Sequence, residues 1–434
     1  MSGRLLAIAA WSVFVSVAGL LFATDIRTDN HFQALYSFSS FQDGASPYAS
    51  VLADSSDVLY GTTEGGGIIN CGPYENGCGT VFLLKRSAVR GWQKTTLYRF
   101  TGASDGGFPH GALVMDKAGS LYGTTANGGD IADCTSPDGY DGCGVVFRLR
   151  RSSLGKWQYS VIYTFTGKDG RWPQAGLILD RNGNLYGTAM AGGKLDCNKG
   201  IGCGTVFELT RTKLGSWKQI VLHRFASGYD GYLPTGSLIL DSAENLYGTT
   251  YSGGNGLPNC YAGQGCGTVF KLSRSPDGWK ETLIHRFSDV SEGTFPAAAL
   301  TMDAAGNLYG TTSQGSNGGV VFKLRRDPRD GWKYMVLHWL QGEDGQFSTS
   351  NLNFDDAGNL YGTTQSGGKY DQGTIFKLSP GIGGWTETVV HNFTGGADGQ
   401  WPFSGLTPNE NKGFYGTTTG GGSGHLGVVF ESRP

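Results

Sequence analysis

The sequence predicts an all-β fold, a seven-bladed β-propeller with four strands in each blade. The string Leu-Tyr-Gly-Thr-Thr, or a close variant, recurs seven times, and the tyrosines of successive copies lie 52 to 64 residues apart. Each copy stands among short segments rich in Val, Ile, Thr, Tyr and Phe that Gly, Asp and Asn residues bound, which is typical of strands. Repeats of this kind that fill a chain are typical of propellers. The seven tyrosines are Tyr60, Tyr122, Tyr186, Tyr247, Tyr309, Tyr361 and Tyr415.

Four segments recur in every complete unit, and we name the predicted strands A to D, from the propeller axis to the rim. Strand A is an apolar run that ends near Asp, as in 112–116, and strand B is the Leu-Tyr-Gly-Thr-Thr string, as in 59–63. Strand C carries Gly-Thr-Val-Phe, as in 79–82. Strand D follows a Trp and ends in a Leu-His-Arg-Phe pattern, as in 222–225. No segment after residue 23 has the apolar periodicity of an amphipathic helix.

The two ends of the repeat region predict how the ring closes. Residues 34–38 match a strand D but precede the first complete unit, whereas the last unit ends after 427–430 and lacks a strand D. Strand 34–38 is therefore expected to complete the last blade, which removes an open sheet edge. A β-solenoid, the alternative repeat fold, would not need this match between a missing strand and an extra one.

The N-terminus predicts export. A single Arg4 precedes an apolar run over 5–23, which is typical of a secretory signal peptide, although its length also allows an uncleaved membrane anchor. The expected organisation is a signal peptide over 1–23, a linker over 24–32 and the propeller over 33–434. Both interpretations of the run make the protein secreted or bound to the cell surface, and we expect a monomer.

Composition excludes several classes of protein. The chain has 73 glycines among 434 residues, without the strict period of collagen. The glycines suit tight hairpin turns, as at Gly183, and the Gly of strand B is expected where adjacent sheets pack closely. A formal net charge of −2 gives no global field that would attract nucleic acid or an anionic membrane.

The eight cysteines predict four disulfides. One pair lies between strands B and C in each of the first four units, and the last three units lack both members of the pair. Export favours disulfides, whereas zinc is disfavoured because the pairs are not CxxC and no His has ligand spacing. We therefore expect no metal. The predicted disulfides are Cys71–Cys78, Cys134–Cys143, Cys197–Cys203 and Cys260–Cys266.

One face of the predicted propeller collects candidate ligand-binding residues, because the B–C loops and the D–A connections lie on the same side. Each D–A connection carries an acidic residue followed by Gly, and several carry an aromatic residue before Pro. Carboxylates accept hydrogen bonds from sugar hydroxyls, and aromatic rings cover apolar sugar faces. The alternative is structural, since Asp-Gly is a common turn pair. The acidic candidates are Asp43, Asp105, Asp169, Asp230, Glu292, Asp344 and Asp398. The aromatic candidates are Phe108, Trp172, Phe295 and Trp401.

The histidines divide into two groups. Four of them occupy one position of strand D where the other units have Tyr, so an aromatic body suffices there and a catalytic imidazole is not indicated. His110 and His425 stand outside that pattern and remain individual candidates. No motif for a nucleophile, a metal, a phosphate or a dinucleotide is present, so no catalytic residue and no cofactor are predicted. The four histidines of strand D are His223, His285, His338 and His391.

The repeated strings carry a resemblance to a known family. Gly-Asn-Leu-Tyr-Gly-Thr-Thr over 306–312 and Gly-Thr-Val-Phe-Lys-Leu over 267–272 resemble the GloVer tandem repeat of bacterial exported proteins. The resemblance covers roughly residues 33 to 434 and implies a secreted or surface β-propeller with no established activity. Such proteins often have a C-terminal anchor, which is not expected here because the chain ends directly after its last strand. The Asp-x-x-Gly-Asn-Leu-Tyr turn is similar, more loosely, to that of NHL-type propellers. Neither resemblance supplies a catalytic residue.

Three functions stay open on the sequence. The first is a non-catalytic extracellular binding module that engages a glycan or a surface protein through the B–C and D–A face. The second is a carbohydrate-active enzyme, a glycoside hydrolase or a lyase, with a carboxylate pair at the axial mouth. The third is a purely structural envelope protein. A pocket that departs from sevenfold sameness would favour a specific ligand.

Overall fold

Seven four-stranded antiparallel sheets form the part of the chain that the structure describes. The structure is a computed structural model. It describes residues 31–434 except 70, 72–75, 130–133, 135–141, 227, 255–259, 261–264, 317, 328 and 330. The predicted signal peptide over 1–23 and most of the predicted linker lie outside these residues. Among the described residues, no helix has the length and the apolar character needed to cross a membrane.

Each sheet is one blade, with its strands in the order A, B, C, D, and the chain forms a seven-bladed β-propeller as the sequence predicts. The A strands are β2 (Leu52–Ala53), β6 (Val114–Met115), β10 (Ile178–Leu179), β14 (Ile239–Leu240), β18 (Thr301–Met302), β22 (Asn353–Phe354) and β26 (Thr407–Pro408). The B strands are β3 (Leu59–Thr63), β7 (Leu121–Thr125), β11 (Leu185–Ala189), β15 (Leu246–Thr250), β19 (Leu308–Thr311), β23 (Leu360–Thr364) and β27 (Phe414–Thr418).

The two outer strands of each blade are longer. The C strands are β4 (Thr80–Ser87), β8 (Val145–Arg151), β12 (Thr205–Arg211), β16 (Thr268–Ser275), β20 (Gly319–Asp327), β24 (Thr374–Gly381) and β28 (Val428–Ser432). The D strands are β5 (Gly91–Arg99), β9 (Trp157–Thr164), β13 (Trp217–Arg224), β17 (Gly278–Arg286), β21 (Gly331–Leu340), β25 (Gly384–Asn392) and, for the last blade, β1 (Phe32–Ser37). Short 3-10 helices lie at Phe41–Asp43, Asn198–Gly200 and Gly342–Asp344.

The ring closes through its N-terminal strand. Strand β1 pairs antiparallel with β28 over Phe32↔Ser432 to Ser37↔Val428 and so supplies strand D of the seventh blade. The predicted closure is confirmed, and the strand begins two residues earlier than predicted. At the end of this blade the N–H of Arg433 donates to the carbonyl of His31 at 2.7 Å, which brings the last residues beside the start of the described chain.

The glycine of strand B makes room for an aromatic ring of its own blade. Gly61 lies opposite Phe82 of strand C, and a Cβ at Gly61 would stand 2.5 Å from the Cζ atom of that ring. The sequence interpretation placed this close approach between adjacent sheets, whereas the ring belongs to the neighbouring strand of the same sheet. The tip of the phenylalanine ring thereby occupies the space beside Gly61, and the Phe82 side chain is fully buried.

The core lies between the blades. One cluster joins Tyr60 and Val81 of the first blade to Leu121 and Phe147 of the second, and six similar clusters complete the ring. The Trp that opens strand D packs against the strand B tyrosine of the preceding blade. Trp157, for example, meets Tyr60 edge to face with ring centroids 6.1 Å apart. Each blade therefore depends on its neighbours for burial of its apolar faces.

The four predicted disulfides are confirmed. Their Cα atoms lie 5.2 to 5.9 Å apart, and each closes a B–C loop of one of the first four blades. No free cysteine occurs among the residues that the structure describes. Such short closed loops are typical of proteins that fold in an oxidising environment.

Candidate functional site

The B–C loops and the D–A connections share one face of the propeller. Each D–A connection forms a β-bridge with the B–C loop of the blade that it enters, as Gly107↔Asn127 and Arg171↔Ala191 show. We call this side the loop face. The A–B turns and the C–D hairpins lie on the opposite side, which we call the hairpin face.

The seven acidic candidates hold the D–A connections in place. Each carboxylate lies beside the Tyr or His near the end of the preceding strand D; Tyr98 donates its hydroxyl hydrogen to Asp105 at 2.9 Å, and His391 Nε2 lies 3.1 Å from Asp398. Backbone N–H groups of the same connection add further bonds, as from Thr101 to Asp105. The pairs are Tyr36–Asp43, Tyr98–Asp105, Tyr163–Asp169, His223–Asp230, His285–Glu292, His338–Asp344 and His391–Asp398.

These pairs explain why Tyr and His alternate at one position of the repeat. Both side chains place a polar atom at the end of a flat ring beside the carboxylate. The three Tyr hydroxyls donate to it, and Nε2 of His338 and of His391 lies within hydrogen-bond distance of it. Nε2 of His223 and of His285 lies 3.4 and 3.6 Å from its carboxylate without a hydrogen bond. The sequence interpretation recognised only the shared aromatic body. None of the seven carboxylates lines either of the two pockets described below.

The next blade contributes a third side chain to each of these pairs, from the strand D residue four positions before its own Tyr or His. In the first blade it is Lys94, whose ammonium lies 2.9 Å from Asp43. In three others the rings stack: Phe32 on His391 at 3.9 Å, Tyr159 on Tyr98 at 3.8 Å and Tyr334 on His285 at 4.3 Å. The seven residues at this position are Phe32, Lys94, Tyr159, Gln219, Glu281, Tyr334 and Glu387.

We call each of these groups of three side chains a junction, and two of the junctions contain a second carboxylate. His223, Asp230 and Glu281 form one group, and His338, Asp344 and Glu387 form the other, with the possible ligand atoms of each group within 4.8 Å of one another. Burial, with the nearby Asp230, raises the pKa of Glu281 to about 7 despite the attraction of His223. Burial and Asp344 raise the pKa of Glu387 to about 7 as well. One imidazole and two carboxylates are also donors that a divalent transition-metal ion accepts.

A pocket of about 740 Å³ opens on the loop face, lined by residues of the first three blades and by Leu426 of the seventh. It brings together three of the sequence candidates, Phe108, Trp172 and His110. The other two aromatic candidates lie elsewhere: Phe295 stacks on Tyr251 with centroids 4.8 Å apart, and Trp401 is 45% exposed. The pocket therefore breaks the sevenfold sameness of the ring.

An unusual backbone conformation orients the aromatic residues of the D–A connections. Trp172 has φ 55°, in the left-handed region that side chains other than Gly rarely adopt. Its N–H donates to Cys143 O of the preceding blade at 3.0 Å, and its carbonyl accepts from Met190 of its own blade at 3.1 Å. These bonds across two blades offset strain of about 1–2 kcal/mol. The seven equivalent residues, all with positive φ, are Ser46, Phe108, Trp172, Leu233, Phe295, Phe347 and Trp401.

The polar side of the pocket is built around His110 and Glu64. His110 Nε2 lies 3.4 Å from Glu64 Oε1. Burial pushes the pKa of Glu64 upward, but the hydrogen bond and the charge of His110 outweigh it and hold this pKa below its ordinary value. Burial and the Glu64 charge raise the pKa of Tyr48, whose ring lies 4.9 Å from His110, to about 12. His425, the other individual candidate, is exposed in the last B–C loop, beside the lining residue Leu426.

A smaller channel of about 280 Å³, lined by residues of all seven blades, lies beside the pocket, and His110 and Gln174 line both. Its walls consist mostly of Ala, Gly, Ser and Thr. Among the described residues that line the channel there is no carboxylate, and Glu64 is the one carboxylate among those that line the pocket.

Two positions of the repeat supply His110, which the sequence identified, and other lining residues that it did not, such as Tyr48, Glu64, Gln174 and Met190. One follows the Pro of the D–A connection, or Ser348 in the connection into the sixth blade, and the other follows strand B. Both differ from blade to blade, whereas the strand B string that precedes the second position is nearly constant, and this variation is the signal that could have identified them. The first position holds Tyr48, His110, Gln174, Thr235, Ala297, Thr349 and Phe403. The second holds Glu64, Ala126, Met190, Tyr251, Ser313, Gln365 and Thr419.

Seven four-stranded blades, closed by an N-terminal strand and repeated in sequence, define a β-propeller repeat protein. Its chain matches the model of the Gloeobacter/Verrucomicrobia repeat over residues 127–327 and 202–430, more than half of its length. The protein belongs to this family, as the GloVer resemblance implied.

Comparison with other proteins adds little to this assignment. No curated protein matches the chain in sequence. A solved structure described as a candidate gluconolactonase is similar, with 16% identity, a TM-score of 0.37, and coverage of 66% of this chain and 84% of the other. A similarity at that TM-score carries no argument about function.

Proposed function

We propose that this protein is an exported, non-catalytic binding module that holds a carbohydrate in the pocket on the loop face. The observation that carries the proposal is the meeting of two aromatic residues, Phe108 and Trp172, with the His110–Glu64 pair in one pocket. The quasi-equivalent positions of the other blades do not assemble this combination of side chains in either pocket.

The chemistry of the lining suits a sugar. Aromatic rings cover the apolar face of a pyranose, while a carboxylate and amides bind its hydroxyls. Asn127 and Gln174 supply the amides, and a volume of about 740 Å³ is of the size that small ligands occupy. In addition, Nε1 of Trp172, which lines the pocket, is buried and has no hydrogen-bond partner among the described residues, so its N–H is a donor still to be satisfied.

The carboxylates favour binding over hydrolysis. Hydrolysis of a glycosidic bond ordinarily uses two carboxyl groups on either side of that bond. Glu64 is the one carboxylate among the described residues that line the pocket, and the acidic residues of the D–A connections lie beside Tyr and His side chains outside it. Export is supported by the four disulfides and by the apolar run over 5–23 of the sequence.

A glycan array probed with the exported protein, followed by titration of each hit against intrinsic tryptophan fluorescence, tests the proposal. Trp172→Ala is expected to weaken binding about tenfold or more, because it removes the stacking ring. Trp401→Ala is the matched control, since that residue has the same backbone conformation, φ 57°, outside the pocket. Absence of any glycan hit, or equal losses in the two variants, would overturn the proposal. Turnover of a bound glycan would favour the enzyme instead.

A further inference from the structure

The hairpin face carries exposed aliphatic side chains at the tips of its C–D hairpins. In the first three blades these are Val89, Leu154 and Leu214, which are 91%, 84% and 96% exposed. Hairpin tips ordinarily carry Gly, Asn, Asp or Ser, because those residues adopt turn conformations and contact water well. Three adjacent blades that repeat an aliphatic tip therefore call for an explanation beyond chance exposure.

Basic residues surround the same three tips. The stretches 85–92, 150–157 and 211–218 contain no Asp or Glu, and all of their Lys and Arg residues are exposed. The net charge of −2 conceals this arrangement, since it says nothing about how charges divide between faces. We call these three hairpins the basic arc. Its nine cations are Lys85, Arg86, Arg90, Arg150, Arg151, Lys156, Arg211, Lys213 and Lys218.

The remaining hairpins lack this combination. The fourth has Pro276-Asp277 at its tip, and the fifth includes Asp327. The sixth has an aliphatic tip, Ile382, but no Lys or Arg over 379–386. Basic charge and aliphatic tips thus coincide only in the first three blades among the described hairpins.

In the second and third hairpins the foot joins a cation to an aromatic ring, as Arg274 and Trp279 also do in the fourth hairpin at 4.7 Å. The guanidinium of Arg151 lies 4.9 Å from the Trp157 ring centroid, and that of Arg211 lies 4.9 Å from the Trp217 ring centroid. Such stacking holds the guanidinium near the surface while it stays exposed. From the tip of a hairpin to its foot, an aliphatic side chain is followed by cations and then by an amphipathic tryptophan. This order of side chains suits the interface of a lipid bilayer.

We propose that the basic arc docks this propeller on the surface of an anionic lipid bilayer. The three aliphatic tips enter the boundary between headgroups and acyl chains, and the cations of the arc meet the lipid phosphates. The described chain also starts on this face, at His31, and seven residues of sequence separate it from the end of the apolar run over 5–23. Since the pocket opens on the loop face, docking leaves that pocket open to solvent. This inference does not depend on what the pocket binds.

Sedimentation with vesicles tests the docking, using the exported protein with the N-terminal segment that the cell leaves on it. Binding to phosphatidylcholine vesicles that contain phosphatidylglycerol is expected to exceed binding to pure phosphatidylcholine and to weaken as salt rises. The triple variant Arg90→Gln, Lys156→Gln, Lys213→Gln should bind the anionic vesicles about a hundredfold more weakly, at about fivefold for each cation near the membrane.

The aliphatic tips have a matched control in the sixth blade. The triple variant Val89→Ser, Leu154→Ser, Leu214→Ser should lose about tenfold in binding for each tip that enters the bilayer. Ile382→Ser removes an equally exposed tip, 113% exposed, without basic neighbours, and should leave binding unchanged.

A local probe separates docking by the arc from attachment by the N-terminus. The emission of an environment-sensitive fluorophore on Ser153→Cys should shift to shorter wavelength on anionic vesicles. The emission of the same label on Gly383→Cys should not shift, and an added Cβ at that position meets nothing within 4 Å. Equal shifts at both positions would overturn the proposal, as would binding that ignores phosphatidylglycerol. Binding to a soluble polyanion such as heparin without binding to vesicles would overturn it in favour of another class of partner.

Discussion

Replacement of Glu281 by Gln is expected to change how the stability of the propeller depends on pH. The Glu281 side chain is 15% exposed, its Oε1 has no hydrogen-bond partner, and its pKa rises from 4.5 to about 7 on folding. Folding therefore takes up a proton between these two pH values. The unfolded chain binds fewer protons there, so the free energy of unfolding falls as pH rises from about 4.5 to 7 and is constant for this group above 7.

The size of the effect follows from the same numbers. At about 1.4 kcal/mol per pH unit, ionised Glu281 destabilises the folded state by on the order of 3 kcal/mol above pH 7. Glu281→Gln removes this contribution, so the variant should be more stable than the parent at pH 8, and the advantage should vanish near pH 4.5. The third blade already has an amide at this position, where Gln219 donates to Asp169 O at 3.2 Å.

Urea unfolding at several pH values between 4.5 and 8, with the disulfides intact, measures the effect. EDTA in every sample keeps divalent cations from the His223, Asp230 and Glu281 group. Glu410→Gln, at an exposed carboxylate, is the matched control and should leave the pH dependence of the parent unchanged. A Glu281→Gln variant that is less stable than the parent by the same amount at every pH would refute the reasoning, because it would mean that the ionised carboxylate is well accommodated.

Three further changes test the structural role of the repeat. Asp398→Asn should lower the free energy of unfolding by about 1–2 kcal/mol at pH 7. Hydrogen bonds outweigh burial and lower the pKa of Asp398, so this loss of stability should shrink as pH falls through that lowered pKa. A loss that stayed constant from pH 7 to 3 would contradict this. Gly310→Ala places a Cβ 2.6 Å from a buried phenylalanine ring and should lower the free energy of unfolding by about 1–3 kcal/mol, as thermal unfolding would measure. Gly383→Ala is the control, because its Cβ meets nothing within 4 Å and should change the stability little. Replacement of Cys71 and Cys78 by Ser should cost about 2–3 kcal/mol of stability, and mass mapping without reductant should find no free thiol in the parent.

The architecture was predictable because the residues of each repeat indicate the strands and turns that this repeat forms. Alternating apolar residues, turn residues and a Gly opposite a Phe recur in every copy, so seven copies give seven independent indications of the same four strands. The extra strand before the first unit and the missing strand in the last unit predicted the closure that β1 and β28 make. The cysteine pairs were predictable for the same reason, since each pair lies within one loop.

The candidate site was predicted only in part. Phe108, Trp172 and His110 meet in the pocket, but Glu64, Asn127, Gln174 and Met190 were not identified. Repetition drew attention to the residues that every blade shares, and those are the ones that build the fold. The acidic residues are an example, because their common position reflects the Tyr or His of the preceding strand D that each of them must hold.

By itself the sequence determined the strands, their order in each blade, the number of blades and the disulfides, because these depend on residues near one another in the chain. Only the tertiary structure decided which side chains from different blades face one another. The pocket on the loop face combines residues from four blades, the basic arc on the hairpin face combines residues from three, and the Glu281 junction joins two. Most of those neighbours lie some 60 residues apart in the sequence, and they meet because the closed ring places successive blades side by side.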